Sequence, residues 1–283
     1  MKYMVVLFLL SLFLVGCGAV PKDKSQLPTG VTPTAAAAAA STPPANAPPA
    51  AGPSPGSTTS NPAQTMQCAA GEYDMLDWAT LDPDLASGYH LEGNANPLYT
   101  YVQSDKFYWL KSANGYPWDI QLVDSKNIYL WVTEQDWSDP YTYKKSHNNT
   151  NMALTPRCAQ GGQSQPGTIV KSKDTSFEIV NRCTTQKVTN LGTMANEVWG
   201  PYKMSFGGDI PDNTDTLIVA YKYNCDPGYG NCQDREEYFL TQRYGLVRWD
   251  HGKFSGGKYN VDKFTIYNKL KPGAAAPPQF PCG

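Results

Sequence analysis

The sequence predicts an all-β head domain, a β-sandwich or jelly roll, behind an exported and disordered N-terminal segment. Short apolar runs rich in Tyr, Trp, Val and Ile recur after residue 67 between Gly, Asn, Asp and Pro, which is typical of strands joined by tight turns. All seven tryptophans lie in that part of the chain. The stretch before it is rich in Pro, Ala, Ser and Thr and has no pattern of burial.

The first residues are typical of an export signal. Lys2 precedes an apolar run over 4–15, which is shorter than the roughly 20 residues of a membrane span and suits a secretory signal peptide. The run ends in LVGC at 14–17, and this tetrapeptide resembles the lipobox of bacterial lipoproteins at every position. The resemblance implies a signal peptide over 1–16 and fatty acylation, by palmitate or similar chains, of Cys17. An ordinary signal peptide with a chance cysteine is the alternative.

The same resemblance implies a location. In envelopes where an aspartate after the lipidated cysteine retains lipoproteins at the inner membrane, Gly18 implies export to the outer membrane. One acyl chain binds a bilayer only marginally, so stable anchoring requires the additional chains that this class carries. We therefore expect an extracytoplasmic protein of the bacterial cell envelope, held on the membrane by its N-terminal lipid.

Residues 17–66 are predicted to form a disordered linker. Ten of the 23 prolines lie here, no charged residue occurs between Lys24 and Glu72, and the first aromatic residue after the signal is Tyr73. Such a chain cannot bury enough apolar surface to offset the entropy lost on ordering. With extended, proline-stiffened segments of about 3 Å per residue, its contour reaches on the order of 140 Å.

Residues 67–283 are predicted to form one disulfide-linked β domain. The formal net charge of the chain is −2 and we see no Lys/Arg cluster, so nucleic acid is not an expected partner. Besides Cys17 there are six cysteines, an even number that favours three disulfides in an exported protein. The turn-rich DPGYGN pairs Cys225 with Cys232, and the remaining pairs are expected to be Cys68–Cys282 and Cys158–Cys183. A metal site is the alternative, but the sequence has no C-x-x-C and no histidine at ligand spacing.

Strand signals dominate the head domain, and one helical signal competes with them. Asp82-Pro83 is typical of a capped helix start, and Gly88 would end that helix. Short polar links between the first four strand runs favour hairpins. The predicted strands cover 98–102, 107–110, 116–123, 128–133, 177–180, 217–223, 237–241, 246–249 and 264–267.

Strand alternation predicts which aromatic rings are core. Trp118 shares a predicted face with Ile120 and Leu122, and Trp109 shares one with Phe107, so both tryptophans are interpreted as core. In the next strand, Ile128, Leu130 and Val132 form an apolar face and leave an aromatic face opposite. That face and its surroundings supply the candidate ligand-binding residues, which are Tyr99, Tyr101, Tyr129, Trp131 and Trp137.

Exposed tyrosines and tryptophans beside Asp, Asn and Gln favour carbohydrate, because sugar C–H faces pack on aromatic planes and hydroxyls bond to carboxylates and amides. The alternative is structural, since aromatic residues are also good strand formers and cross-strand pairs stabilise sheets. Trp131 in particular could be core.

Evidence for catalysis is weaker. Glycoside hydrolysis needs two carboxylates, and those near aromatic residues are Asp119, Glu134, Asp136, Glu197 and Glu236. The run RWDH at 248–251 could polarise a substrate, or Arg248 and Asp250 could simply pair across neighbouring strands. No catalytic residue is assigned and no cofactor is expected. Calcium is a further option in the loop at 207–216, where Asp209, Asp212, Asn213 and Asp215 supply oxygen ligands outside the usual spacing.

Three classes of function therefore remain open. The first is a membrane-anchored module that binds glycans or another component of the cell surface. The second is a structural envelope lipoprotein without a small ligand, whose partner would be an envelope protein. The third is a glycan-cleaving hydrolase or lyase.

The anchor is directly testable. Cys17→Ser removes the thiol that would carry the lipid, so we expect an unlipidated protein and loss of the head domain from the membrane fraction after cell fractionation. A mutant that is still processed and still membrane-bound would contradict the assignment.

Overall fold

The computed structural model describes residues 66–94, 96–115, 117–134, 142–146 and 153–278. The predicted signal peptide and linker, apart from Met66, lie outside the described residues, as do Trp137 and Cys282. Ser57–Gly283 forms one compact unit that contains every described element. Within the described residues, no helix has the length and apolar character needed to cross a membrane.

The elements confirm the all-β prediction. Two short helices occur near the start, α1 (Met75–Ala79) and α2 (Pro83–Ala86). The shorter strands are β1 (Tyr73–Asp74), β2 (Tyr89–Gly93), β3 (Tyr99–Val102), β4 (Lys106–Leu110), β5 (Pro117–Val123), β6 (Asn127–Glu134), β7 (Thr142–Ser146), β8 (Ala153–Pro156) and β9 (Cys158–Ala159). The longer strands are β10 (Ile169–Asn181), β11 (Thr184–Met204), β12 (Thr214–Cys225), β13 (Cys232–Thr241), β14 (Gly245–Ser255) and β15 (Lys258–Pro272).

One large antiparallel sheet accounts for nearly all strands. Its order is β2-β15-β14-β13-β12-β11-β10-β7-β6-β5-β4-β3, and β8 adds to β6. Reciprocal backbone hydrogen bonds of 3.0 and 2.7 Å join Leu91 in β2 to Leu98, which immediately precedes β3. The two ends of the strand order thus meet. The sheet therefore folds over on itself in a sandwich-like arrangement, with a large apolar cluster enclosed between its two halves.

Two apolar clusters lie on opposite faces of strands β3–β6. In β4, Phe107 and Trp109 belong to the main cluster, which we call the inner core, whereas Tyr108 and Leu110 belong to a second cluster. The C-terminal segment contributes to the second cluster through Ala275. Because both faces of β4 are buried, its sequence is a continuous apolar run rather than an alternation. The predicted core position of Trp109, whose exposure is 2%, is confirmed.

The N-terminal segment contributes a layer of the inner core. Helix α1 directs Met75, Leu76, Trp78 and Ala79 into it, and the Asp74 carboxylate caps the helix by accepting a hydrogen bond from the Leu76 backbone N–H at 3.1 Å. Helix α2 begins at the predicted Asp82-Pro83 cap. Helix α1 was not predicted from the sequence, because it is only five residues long and ends without a glycine.

A buried ion pair and a disulfide attach this segment to the sheet. Arg157 donates from Nε and Nη2 to the two oxygens of Asp74, the second contact at 2.8 Å, and both side chains are almost fully buried. The adjacent residue Cys158 is bonded to Cys68, with Cα atoms 5.5 Å apart. These contacts hold β1 against β9 and so fix α1 in the core.

The disulfide expectations are partly wrong. Cys225 bonds Cys232, as expected from the turn between them, because the two residues face each other directly across the β12–β13 pair. Cys68 bonds Cys158 instead of Cys282, since pairing of β1 with β9 places Asp74 opposite Cys158 and draws the preceding chain to it. The expected Cys158–Cys183 bond is therefore also wrong, although Cys183 is disulfide-bonded.

The ion pair leads to a stability prediction. Arg157→Met should lower the free energy of unfolding by about 3–5 kcal/mol, because Asp74 would remain buried without its cation. Urea denaturation measures the loss. Lys203→Met is the matched control, because Lys203 and its partner Asp215 are more than half exposed and such pairs contribute less than about 1 kcal/mol. Equal, small losses in both variants would contradict the proposed role of Arg157.

Candidate functional site

A cavity of about 170 Å³ opens into the inner core between the two halves of the sheet. Its walls combine aromatic rings with a carboxylate and an ammonium group. The lining residues are Asn96, Pro97, Leu98, Lys111, Trp118, Thr133, Glu236, Tyr238, Trp249, Thr265 and Tyr267.

Strand register explains the wall built by β13, β14 and β15. Tyr238 pairs with Trp249, and Trp249 pairs with Thr265, so the three side chains form a row across one face of the sheet. Glu236 lies two residues from Tyr238 on the same strand and therefore faces the same side.

A β-bulge supplies the opposite wall. Between β4 and β5, Leu110 pairs with Pro117 and Trp109 pairs with Asp119, so Trp118 is the additional residue. Its ring contacts the inner-core aromatics Trp109, Trp249, Tyr238 and Tyr267, with centroid distances of 6.1 to 6.4 Å. Ile120 is fully buried in the second cluster. The expectation that Trp118 and Ile120 share a face is therefore wrong, because the bulge interrupts the alternation.

Glu236 is held by three donors. Its Oε2 accepts hydrogen bonds from Trp249 Nε1 and from Tyr238 OH, both at 2.8 Å, and its Oε1 accepts one from Tyr223 OH at 3.2 Å. Burial, followed by the charge of Glu236, raises the pKa of Tyr238 well above its usual value, so that phenol remains a donor. A carboxylate offers about four acceptor positions, so Glu236 retains capacity for a donor from a bound molecule.

Two further ionisable groups lie beside the cavity. Burial lowers the pKa of Lys111 to about 7, an effect that Asp119 partly offsets. Burial raises the pKa of Asp119 to about 7, with Glu236 adding to the rise and a hydrogen bond with Thr133 and the charge of Lys111 opposing it. Asp119 is only 3% exposed and is not among the lining residues, whereas its partner Thr133 is.

Comparison with protein-family models, curated proteins and solved structures finds no match for the chain.

The predicted ligand-binding residues are only partly brought together. Tyr99, Tyr101 and Trp131 all pack in or against the second cluster, away from the cavity. Tyr99 is 7% exposed and stacks on His90 with ring centroids 4.1 Å apart. The Tyr129 hydroxyl instead accepts a hydrogen bond from Asn127 Nδ2 at 2.7 Å and donates one to Asp124 Oδ2 at 3.3 Å.

Trp131 is half-buried and flanked by cations. The Lys106 and Lys145 ammonium groups lie 5.5 and 5.1 Å from its ring centroid. Ile120 pairs with Val132 and Gln121 with Leu130, so Trp131 is the extra residue of a second bulge. That bulge places Ile128 in the inner core and Val132 in the second cluster, so the predicted single apolar face of β6 is wrong.

The remaining candidates have structural partners. Glu197 accepts from Lys222 Nζ at 2.5 Å and from Trp199 Nε1 at 3.1 Å. Arg248 and Asp250 form a two-pronged ion pair at 2.7 and 2.8 Å within one strand, not across neighbouring strands as expected. Asp136 lies outside the described residues, and the side chain of Glu134 is not described.

Two acidic side chains of the loop at 207–216 also bond to other parts of the head domain. Asp215 pairs with Lys203 at 2.8 Å, and Asp209 accepts from the Leu270 backbone N–H at 2.9 Å. In the part of the chain that the structure describes, no group of three or more His, Cys, Asp or Glu side chains is arranged to hold a metal ion.

The sequence pattern singles out Glu236 and the run containing Trp249, but it does not connect them. It misses Lys111, Tyr238 and Tyr267 as site residues. For Tyr238 the usable signal is its position two residues after Glu236, which places a carboxylate and a phenol on one face of a strand.

The buried carboxyl makes stability depend on pH. Native Asp119 retains its proton up to about pH 7, whereas the unfolded chain releases it near pH 4, so the unfolded state binds fewer protons between those values. Stability should therefore fall as pH rises from about 4 to 7, by up to about 1.4 kcal/mol per pH unit from this group. Asp119→Asn should reduce that fall in denaturation curves recorded across the range. The exposed-site control Asp215→Asn should retain it, and an unchanged slope in Asp119→Asn would refute the assignment.

Proposed function

We propose that the head domain binds carbohydrate and that one sugar ring occupies the aromatic cavity. The main support is the pairing of two half-buried tryptophans, Trp118 and Trp249, with the Glu236 carboxylate in one cavity. Aromatic faces pack against sugar C–H groups, and a fixed carboxylate accepts from hydroxyls. The cavity volume of about 170 Å³ is close to that of engineered protein cavities of about 150 Å³ that hold one benzene ring.

The proposed site is preorganised. The edge of one tryptophan points to the face of the other, with an interplanar angle of 84°. Trp249 is further fixed by its hydrogen bond to Glu236, and Tyr238 is held by a bond to the same oxygen. Side chains that are already ordered lose less entropy when a ligand binds, which favours affinity.

Binding is a better interpretation than cleavage. An inverting or retaining glycosidase needs two carboxyl groups flanking the scissile bond. Here Glu236 lines the cavity, whereas Asp119 is buried and is not among the lining residues. We therefore favour a glycan-binding module and propose that its lipid at Cys17 holds this module on the envelope, with the 17–66 linker as spacer.

The cavity residues lead to a binding prediction. In a glycan-array screen followed by titration of the best sugar, Trp118→Ala and Trp249→Ala should each weaken binding by roughly 1–3 kcal/mol, about five- to 150-fold, as loss of a central aromatic anchor does. Glu236→Gln should weaken it less, because the amide keeps one acceptor oxygen.

Trp131→Ala is the matched control, because Trp131 is a half-buried tryptophan on the second cluster. Its binding should remain within about twofold of the unmodified protein, since its ring does not line the cavity. Loss of binding in Trp131→Ala with retention in Trp118→Ala would move the site to β6. Absence of any array signal would reject carbohydrate.

A further inference from the structure

A second cavity lies in the inner core, apart from the aromatic cavity. Its volume is about 20 Å³, and the two cavities share no lining residue. Ten of its eleven lining residues are at most 4% exposed and the other, Tyr221, is half-buried, so we call it the core cavity. The lining residues are Met75, Ala79, Phe107, Trp109, Gln121, Ile128, Leu154, Thr155, Val219, Tyr221 and Leu240.

Strand pairing explains how two polar side chains come to line this cavity. Gln121 lies opposite Phe107 in the β4–β5 pair, and Phe107 belongs to the inner core, so Gln121 faces the same core. Thr155 lies opposite Ile128 in the β6–β8 pair, and Ile128 is also an inner-core residue. Strand β6 pairs with both β5 and β8, so the two polar side chains reach the cavity from opposite sides of β6.

Each of these side chains has a buried oxygen without a hydrogen-bond partner among the described residues. The atoms are Gln121 Oε1 and Thr155 Oγ1. Their residues are 1% and 4% exposed, so bulk water does not supply a partner. Polar atoms buried to this extent almost always bond to another protein group or to an ordered water. The indole of Trp109 cannot serve, because its Nε1 already donates to the Ala79 carbonyl at 3.0 Å.

The volume and the lining of the core cavity together select the ligand. A water molecule needs roughly 10–15 Å³, whereas a cavity that holds one benzene ring is about 150 Å³, so the core cavity is too small for a sugar or another cyclic molecule. A metal ion is also unsuitable, because none of the lining side chains is a carboxylate, an imidazole or a thiol. Internal cavities stay dry when their lining is wholly apolar, but the two unpartnered oxygens make this lining partly polar.

We propose that one ordered water occupies the core cavity and bridges Gln121 and Thr155. The water donates a hydrogen bond to Gln121 Oε1 and accepts one from the Thr155 hydroxyl, which can act as donor or acceptor. These bonds supply the lower end of the roughly two to four that buried waters make. Because its partners belong to β5 and β8, the water links these strands across β6.

The test is X-ray diffraction from crystals of the full chain carrying Cys17→Ser, at a resolution that shows ordered waters. A single peak of electron density should lie about 3 Å from both Gln121 Oε1 and Thr155 Oγ1. Thr155→Val replaces the hydroxyl by a methyl group of similar size, and together with Gln121→Met it should abolish the peak, because neither polar partner remains. Thr155→Ser retains the hydroxyl and should retain the peak.

Thr241→Val is the matched control. Thr241 is 1% exposed and its Oγ1 also lacks a partner among the described residues, but it does not line the core cavity, so the peak should remain. Thermal melts establish that each variant is folded. The map of the chain carrying Cys17→Ser alone decides the question if the double variant does not fold.

Three results would overturn the proposal. The first is the absence of a peak in the core cavity of the chain carrying Cys17→Ser alone. The second is a direct hydrogen bond between the Gln121 amide and the Thr155 hydroxyl. The third is a peak that persists in the double variant, since other groups would then hold it. None of these results bears on sugar binding, because different residues line the core cavity and the aromatic cavity.

Discussion

The stacking of Trp109 on Tyr238 joins the two halves of the sheet. The ring centroids are 5.5 Å apart and the planes differ by 14°. Trp109 belongs to β4, near one end of the strand order, and Tyr238 belongs to β13, near the other. Trp109 Nε1 also donates to the Ala79 carbonyl at 3.0 Å, which connects α1 to the same stack. The contact thus sets the separation of the two halves of the sheet. The cavity lies beside this stack, because Trp118 does not fill the space between the halves as Trp109 does.

The fold class was predictable because each apolar run from 98–102 to 264–267 overlaps an observed strand. The longest strand, β11, was missed because Thr184–Met204 is polar and alternates poorly; its position between two long partners, β10 and β12, makes it a strand. The site was not predictable in full. A bulge adds one residue to one strand, and alternation cannot show where this occurs, so Ile120 was wrongly placed on the face of Trp118 and Val132 on the face of Ile128.

The charges of the site reflect its position between the halves of the sheet. Burial is the first cause of the altered pKa values of Asp119, Lys111, Tyr238 and Lys144, and Glu236 contributes to three of them. Glu236 lowers its own desolvation cost through three hydrogen-bond donors, whereas one oxygen of Asp119 has no partner among the described residues. Glu236, which accepts from three donors, lines the cavity. Asp119, which has one oxygen without a partner among the described residues, favours its protonated form. This division suits recognition by a carboxylate whose oxygens are already held in place.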